Sequence, residues 1–190
     1  ISANSDSDMY LTELQNLIDQ GVTGFILDPD VTIYPAITKL LSNYPDVKWM
    51  SQMAPPRDGE SGEGIPIGGD MIHPYVGFDN YDAGAQVTRR LIEWKEENLP
   101  DVPWDEVAFL AMNFSTSPQL AERVTASEDI WKEVTGSMDN FFVADGVSSS
   151  LNLQGGIDIA GPIISTNSQY KHWLVNGLLD DYAQAVASIL

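Results

Sequence analysis

The sequence contains no cysteine. That excludes disulfides, thiolate metal sites and a cysteine nucleophile. Basic residues are scarce, with 9 Lys and Arg against 28 Asp and Glu and a formal net charge of −19. Binding a phosphate backbone needs clustered Lys and Arg, so nucleic acid is excluded as a partner. An anionic membrane surface is disfavoured for the same reason. No run of 18 apolar residues exists, so the sequence encodes no transmembrane helix. Neither a basic-plus-apolar leader nor a starting Met precedes Ile1, so a signal segment is expected to lie outside the chain or to have been removed. Histidines number 2, His73 and His172, and neither has a second ligand at metal spacing, so no metal and no cofactor is expected.

What is present is a repeated alternation of two patterns. At 190 residues with 43% apolar content, the chain can build one large core or two small ones. Leu11, Leu14, Leu17 and Ile18 recur at helical spacing, and Gly21 stops that helix. Val22–Leu27 then reads as a strand ending in Asp28. Ile37, Leu40 and Leu41 mark a second helix with Pro35 in its first turn. Val47–Met50 reads as a strand ending in Ser51 and Gln52. Residues 55–70 form a Gly-, Pro- and acid-rich loop without the Gly-Lys-Ser/Thr of a phosphate-cradling loop.

Tyr75–Phe78 reads as a short buried strand, closed by Asp79 and Asn80 and turning directly into a helix that carries Gly84, Ala85, Val87, Leu91 and Ile92. A polar, Pro-punctuated connection is expected over 96–105. Strands follow at Val107–Met112, Phe141–Ala144 and His172–Val175. Helices follow at 118–134, 155–164 and 180–190. Strands that end in polar groups and turn into helices define an open α/β architecture with parallel sheets and right-handed crossovers. Ligands of such sheets bind outside the carboxyl ends of the strands.

The stretches LTELQNLIDQGVTGFILDPD (11–30), YVGFDNYDAG (75–84), DEVAFLAM (105–112) and KHWLVNGLLDDYAQAV (171–186) resemble, in this order and at this spacing, the type I periplasmic sugar-binding proteins. These are the solute-binding components of sugar ABC transporters and share their core with LacI-type repressors. The resemblance implies two Rossmann-like lobes with parallel sheets, incomplete at both ends. An N-terminal lobe would span 1–78, lacking its first strand and helix. A C-terminal lobe would span 79–190, lacking its last strands. The hinge would lie near 78–80.

A sugar site needs planar polar side chains for the hydroxyls and aromatic faces for the C–H patches of the ring. Strand ends supply Asp28, Gln52, Asp79, Asn113, Asn152 and Asp180, with Phe78, Phe114 and Trp49 as aromatic candidates. The resemblance adds a clamping Arg, which aligns at Ala121; the nearest basic group is Arg123. For each Asp or Asn the competing reading is helix capping. For Arg123 it is a surface ion pair beside Glu122. Trp49, Trp94, Trp104, Trp131 and Trp173 read as packing residues. Phe78 stands where the family tends to place a small or polar residue.

The implied function is capture of a monosaccharide or related small solute between two lobes, without chemistry, for delivery to the membrane permease of an ABC importer. The implied location is periplasmic, or extracellular with a membrane anchor. The alternative is the effector-binding core of a LacI-type regulator. An enzyme is not expected. Ser115 and Ser137 lack a nucleophile elbow, and although Asp28 resembles the phospho-accepting Asp of receiver domains, no Lys closes a later strand. Sheet edges left open by missing strands are expected to pair with a second copy, giving a dimer.

Overall fold

The structure, a computed structural model, describes residues 7–29, 33–52, 66–68, 71–72, 74–77 and 79–190. The chain divides into two compact units, Ile1–Phe78 and Asp79–Leu190.

In the first unit, α1 (Ser7–Asp19) buries Tyr10 and Leu14, four residues apart and therefore on one helix face. Gly21, at φ 91°, lets the chain leave the helix through a left-handed conformation. β1 (Gly24–Leu27) follows, two residues shorter at its start than the apolar run suggests. α2 (Tyr34–Leu41) accepts Pro35 in its first turn, where no backbone N–H is needed. β2 (Lys48–Gln52) pairs parallel to β1, with Gly24 opposite Lys48 and Leu27 opposite Ser51.

Two short strands within and beyond the expected 55–70 loop, β3 (Pro66–Gly68) and β4 (Met71–Ile72), form an antiparallel pair. The loop reading is thus corrected at its carboxyl end. β5 (Tyr75–Val76) completes a sheet of order β1-β2-β5. Both helices cover one face of that sheet, where Tyr10, Leu14, Leu27, Ile37 and Leu41 form the core with Phe25 and Trp49 against it. Side chains on the opposite side of the pleat remain exposed, Ile26 at 69% and Val76 at 64%. The expectation of a buried strand at Tyr75–Phe78 is therefore corrected for Tyr75 and Val76, and Phe78 lies outside the described residues.

The second unit is built around β6 (Val107–Asn113), flanked by β7 (Phe141–Asp145) and β8 (His172–Asn176), all parallel. Residues 107–112 are each no more than 1% exposed. Such a continuous apolar run is what a strand covered on both faces requires. Val107, Phe109 and Ala111 face a core with Val124 and Trp131 of α4 (Pro118–Thr135) and Leu91 of α3 (Asn80–Asn98). Leu110 and Met112 point the other way, onto Ala160 of α5 (Leu153–Thr166) and Tyr182 and Val186 of α6 (Asp180–Ile189). Each large apolar side chain so buried contributes roughly 1.5–3 kcal/mol relative to exposure.

α3 continues to Asn98, and Trp104–Glu106 forms a 3-10 turn, so the expected 96–105 connection is shorter than the sequence suggests. Trp94 is corrected from packing to surface, at 45% exposure. α3 and α4 cross closely at Gly84, where a Cβ would stand 2.6 Å from the Arg123 Cα. A buried polar seam continues from that crossing. The Thr88 hydroxyl donates to Ser127 Oγ (2.8 Å) and Asn176 Nδ2 donates to the same oxygen (3.1 Å). At the other end of the sheet, Asn140 Nδ2 donates to the Trp104 and Val107 carbonyls, and its Oδ1 accepts from Trp131 Nε1.

Candidate functional site

In each parallel sheet the polar residues that close the strands gather along the carboxyl edge. In the first unit, Asp28 directly follows β1 and Gln52 ends β2. They stand together, one step beyond the Leu27–Ser51 pair, and both are exposed. Ser51, the residue before Gln52 on β2, is fully buried beneath them. It hydrogen-bonds Tyr34, whose hydroxyl burial pushes up to about 12 against that bond's opposing pull. Burial also raises Tyr10, opposed by a hydrogen bond from the Asp28 backbone. Two neutral phenols therefore support the base of this edge. Trp49 stacks on Tyr34 with ring centroids 6.4 Å apart, which is its packing role.

In the second unit, β6 and β7 end in register with Asn113 opposite Asp145. Asn113 Oδ1 accepts from the Phe114 N–H at 2.8 Å. Asp145 Oδ1 accepts from the N–H groups of Ser115 (3.3 Å) and Val147 (3.1 Å). Partial burial pushes the Asp145 carboxyl up, but hydrogen bonds from the Ser115 hydroxyl and from these two N–H groups outweigh it, so its pKa falls below the ordinary value. Asp145 closes its strand before Gly146 as Asn113 closes its neighbour, and joins the strand-end candidates named from the sequence.

α4, α5 and α6 each follow a strand, so their N-termini share this edge. The close crossing at Gly84 and Arg123 brings the start of α3 to it as well. Asp79 caps α3, its Oδ1 accepting from the Asp82 N–H at 2.9 Å. Asn152 caps α5 in the same way from the Gly155 N–H at 2.9 Å. The capping alternative thus operates at both positions, and both side chains remain exposed. Asp180 is exposed in the first turn of α6, one residue after the cap position, Leu179, which makes no side-chain bond. The corner that delivers Asp180 passes through Leu178 at φ 59°, while a Cβ on Gly177 would stand 2.5 Å from that of Ala183.

Arg123 is partly buried on α4, and its Nε donates to Asn80 Oδ1 at 2.9 Å. Burial lowers its pKa. Asn80 is itself 6% exposed and neighbours the Asp79 cap, so the guanidinium is fixed to the start of α3. The Asn80 bond thus gives Arg123 an internal anchor between α4 and α3. Among the described residues, no group of three or more His, Asp and Glu is placed to hold a metal ion. No described helix is long and apolar enough to cross a membrane.

Open parallel sheets with polar carboxyl edges, divided between two units, define the chain as having the fold of type I periplasmic sugar-binding proteins. A periplasmic ribose ABC transporter protein from Conexibacter woesei superposes with a TM-score of 0.66 at 15% identity, covering 97% of this chain and 55% of that one. A Caulobacter myo-inositol binding protein gives 0.60 at 18% identity, over 98% and 58%. A sugar-binding transcriptional regulator of the LacI family from Escherichia coli gives 0.62 at 14% identity, over 97% and 56%. These are binding proteins and a regulator, not enzymes. The chain spans 61% of the solute-binding protein from Burkholderia multivorans that it also matches. No protein-family model matches the sequence, and no curated protein matches it.

Proposed function

We propose that this chain belongs to an extracytoplasmic solute-binding protein that captures a monosaccharide or related polyol for ABC import. The observation that carries this is the pair of polar carboxyl edges, one on each parallel sheet. Asp28 and Gln52 represent the first, and Asn113, Asp145 and Asp180 the second. Carboxylates and amides of this kind accept from and donate to hydroxyls in pairs. Arg123, fixed by Asn80, adds a donor fork at the start of α3. Phe78, next to Asp79 in the sequence, is the position where altered specificity would first register. The boundary at Phe78–Asp79 serves as the hinge, and closure needs no bond chemistry. Delivery would be to a membrane permease, with the mature protein in the periplasm or anchored outside the cell. Open sheet edges, such as that of β1, favour pairing of this chain with a second copy.

Titration calorimetry and thermal shift with pentoses, hexoses and inositols test the reading. A ligand that binds the folded state raises the melting temperature by mass action. A rise with one class, abolished by Asp28→Ala combined with Asp180→Ala, supports it. No rise with any of them overturns it. The LacI-type effector core is the second reading, favoured by the regulator among the structural relatives and opposed by the net charge of −19. A DNA-binding helix-turn-helix upstream in the gene would select it.

A further inference from the structure

Three polar side chains are buried in the second unit where α3, α4 and β8 meet. Thr88 and Ser127 are fully buried, and Asn176 is 8% exposed. The layer between α3 and α4 is otherwise apolar, with Ala85, Ile92, Ala126 and Ile130 packed together. The Ser127 hydroxyl uses its whole bonding capacity there. It donates to the Arg123 carbonyl at 3.0 Å, and accepts from Thr88 Oγ1 at 2.8 Å and from Asn176 Nδ2 at 3.1 Å. One oxygen thus ties α3, α4 and the end of β8 together.

Two of these ties lead to the polar edge. Arg123 lies one helical turn before Ser127 and reaches Asn80, at the start of α3, through Nε. Its backbone carbonyl and its side chain are therefore both held. Asn176 ends β8, and the corner through Leu178 runs from it to Asp180. We propose that Ser127 is a positioning residue for ligand recognition, holding Arg123 and the Asp180 corner in one arrangement. This role rests on the reading of Arg123 and Asp180 as sugar contacts. Packing alone does not call for a hydroxyl in this layer, since an apolar side chain needs no partner there. A fully satisfied buried polar network fixes one arrangement of the elements it joins. Without the Ser127 oxygen, Thr88 keeps the Gly84 carbonyl at 2.9 Å as an acceptor. Asn176 loses this acceptor inside the protein, so the displacement falls on the β8 corner.

The test compares Ser127→Ala with Ile130→Val, which thins the same apolar layer and removes none of these hydrogen-bonding groups. Calorimetry with pentoses, hexoses and inositols, well below the melting temperatures, is paired with nuclear magnetic resonance of the Arg123 Nε–H and the Asp180 amide in the ligand-free protein. Ser127→Ala should weaken binding about tenfold or more and shift both signals. Ile130→Val should do neither, whatever its loss in melting temperature. Should Ser127→Ala fail to fold, Thr88→Val, which removes one of the three bonds, carries the same comparison. Unchanged affinity in the hydroxyl variant, an equal loss in Ile130→Val, or unmoved Arg123 and Asp180 signals would each overturn the proposal while leaving the sugar reading intact. Failure of the unmodified protein to bind any of these sugars would sink the sugar reading itself, and this role with it.

Discussion

The two sheets follow one plan to different degrees of completion. β6 has helices on both faces, and its residues 107–112 are sealed from solvent. β1 and β2 have helices on one face, so Leu27 is buried while its neighbour Ile26 is 69% exposed. Burial in a parallel sheet is therefore a property of the layers around it. The same apolar run is core in one unit and surface in the other.

The largest test of this contrast is Trp131→Ala. It removes a fully buried ring that meets Trp104 and Phe109, and should cost roughly 3–5 kcal/mol. Trp94→Ala, at the surface, should stay within about 0.5 kcal/mol. Denaturant unfolding of both measures the difference, and equal costs would break the assignment of layers. Next comes Gly84→Ala. Its methyl group meets the Arg123 backbone and should destabilise by about 1–3 kcal/mol through overpacking. A neutral result would mean that the α3–α4 crossing gives way. Ile26→Thr in the first unit should again stay within about 0.5 kcal/mol. A loss several times larger would show that its side of the sheet is covered in solution.

The smallest effects are in pH dependence and separate the units by sign. Asp145 has a folded pKa below its ordinary 3.8. Its stabilisation is present above that value and is lost as pH falls through the folded one. Asp145→Asn should flatten the acid limb of the second unit. Tyr34 is raised from 10.0 to about 12. Its contribution is complete below pH 10 and disappears as pH rises toward 12. Tyr34→Phe should flatten the alkaline limb of the first unit. Melting curves read by near-ultraviolet circular dichroism across pH check both, and unchanged limbs would count against these environments.

Elements with strong periodicity were legible in the sequence. VAFLAM marked β6 because a strand buried on both faces cannot tolerate polar residues, and Leu14 marked the inner side of α1. The β3–β4 pair was hidden because strands of two or three residues carry no period. Tyr75 and Val76 were misjudged because apolar character does not reveal whether a layer covers it. Among the candidate residues, the sequence pattern placed Asn113 and Gln52 at strand ends, where the structure has them, but could not separate binding from capping at Asp79 and Asn152. One geometry serves both roles. The Asn80–Arg123 bond joins residues 43 apart on two helices, a relation that only the crossing at Gly84 creates.

The corner after β8 has a consequence for how the Asp180 edge ages under mutation. Leu178 occupies a backbone region that costs an L-residue about 1–3 kcal/mol. The close fit of Gly177 against Ala183 holds it there. This bend is thus enforced by its surroundings rather than preferred by its own chain. Any substitution that loosens α6 releases the bend first, and the position of Asp180 with it, before the interior of the unit registers the change. Drift in this protein would displace Asp180 ahead of any loss of stability.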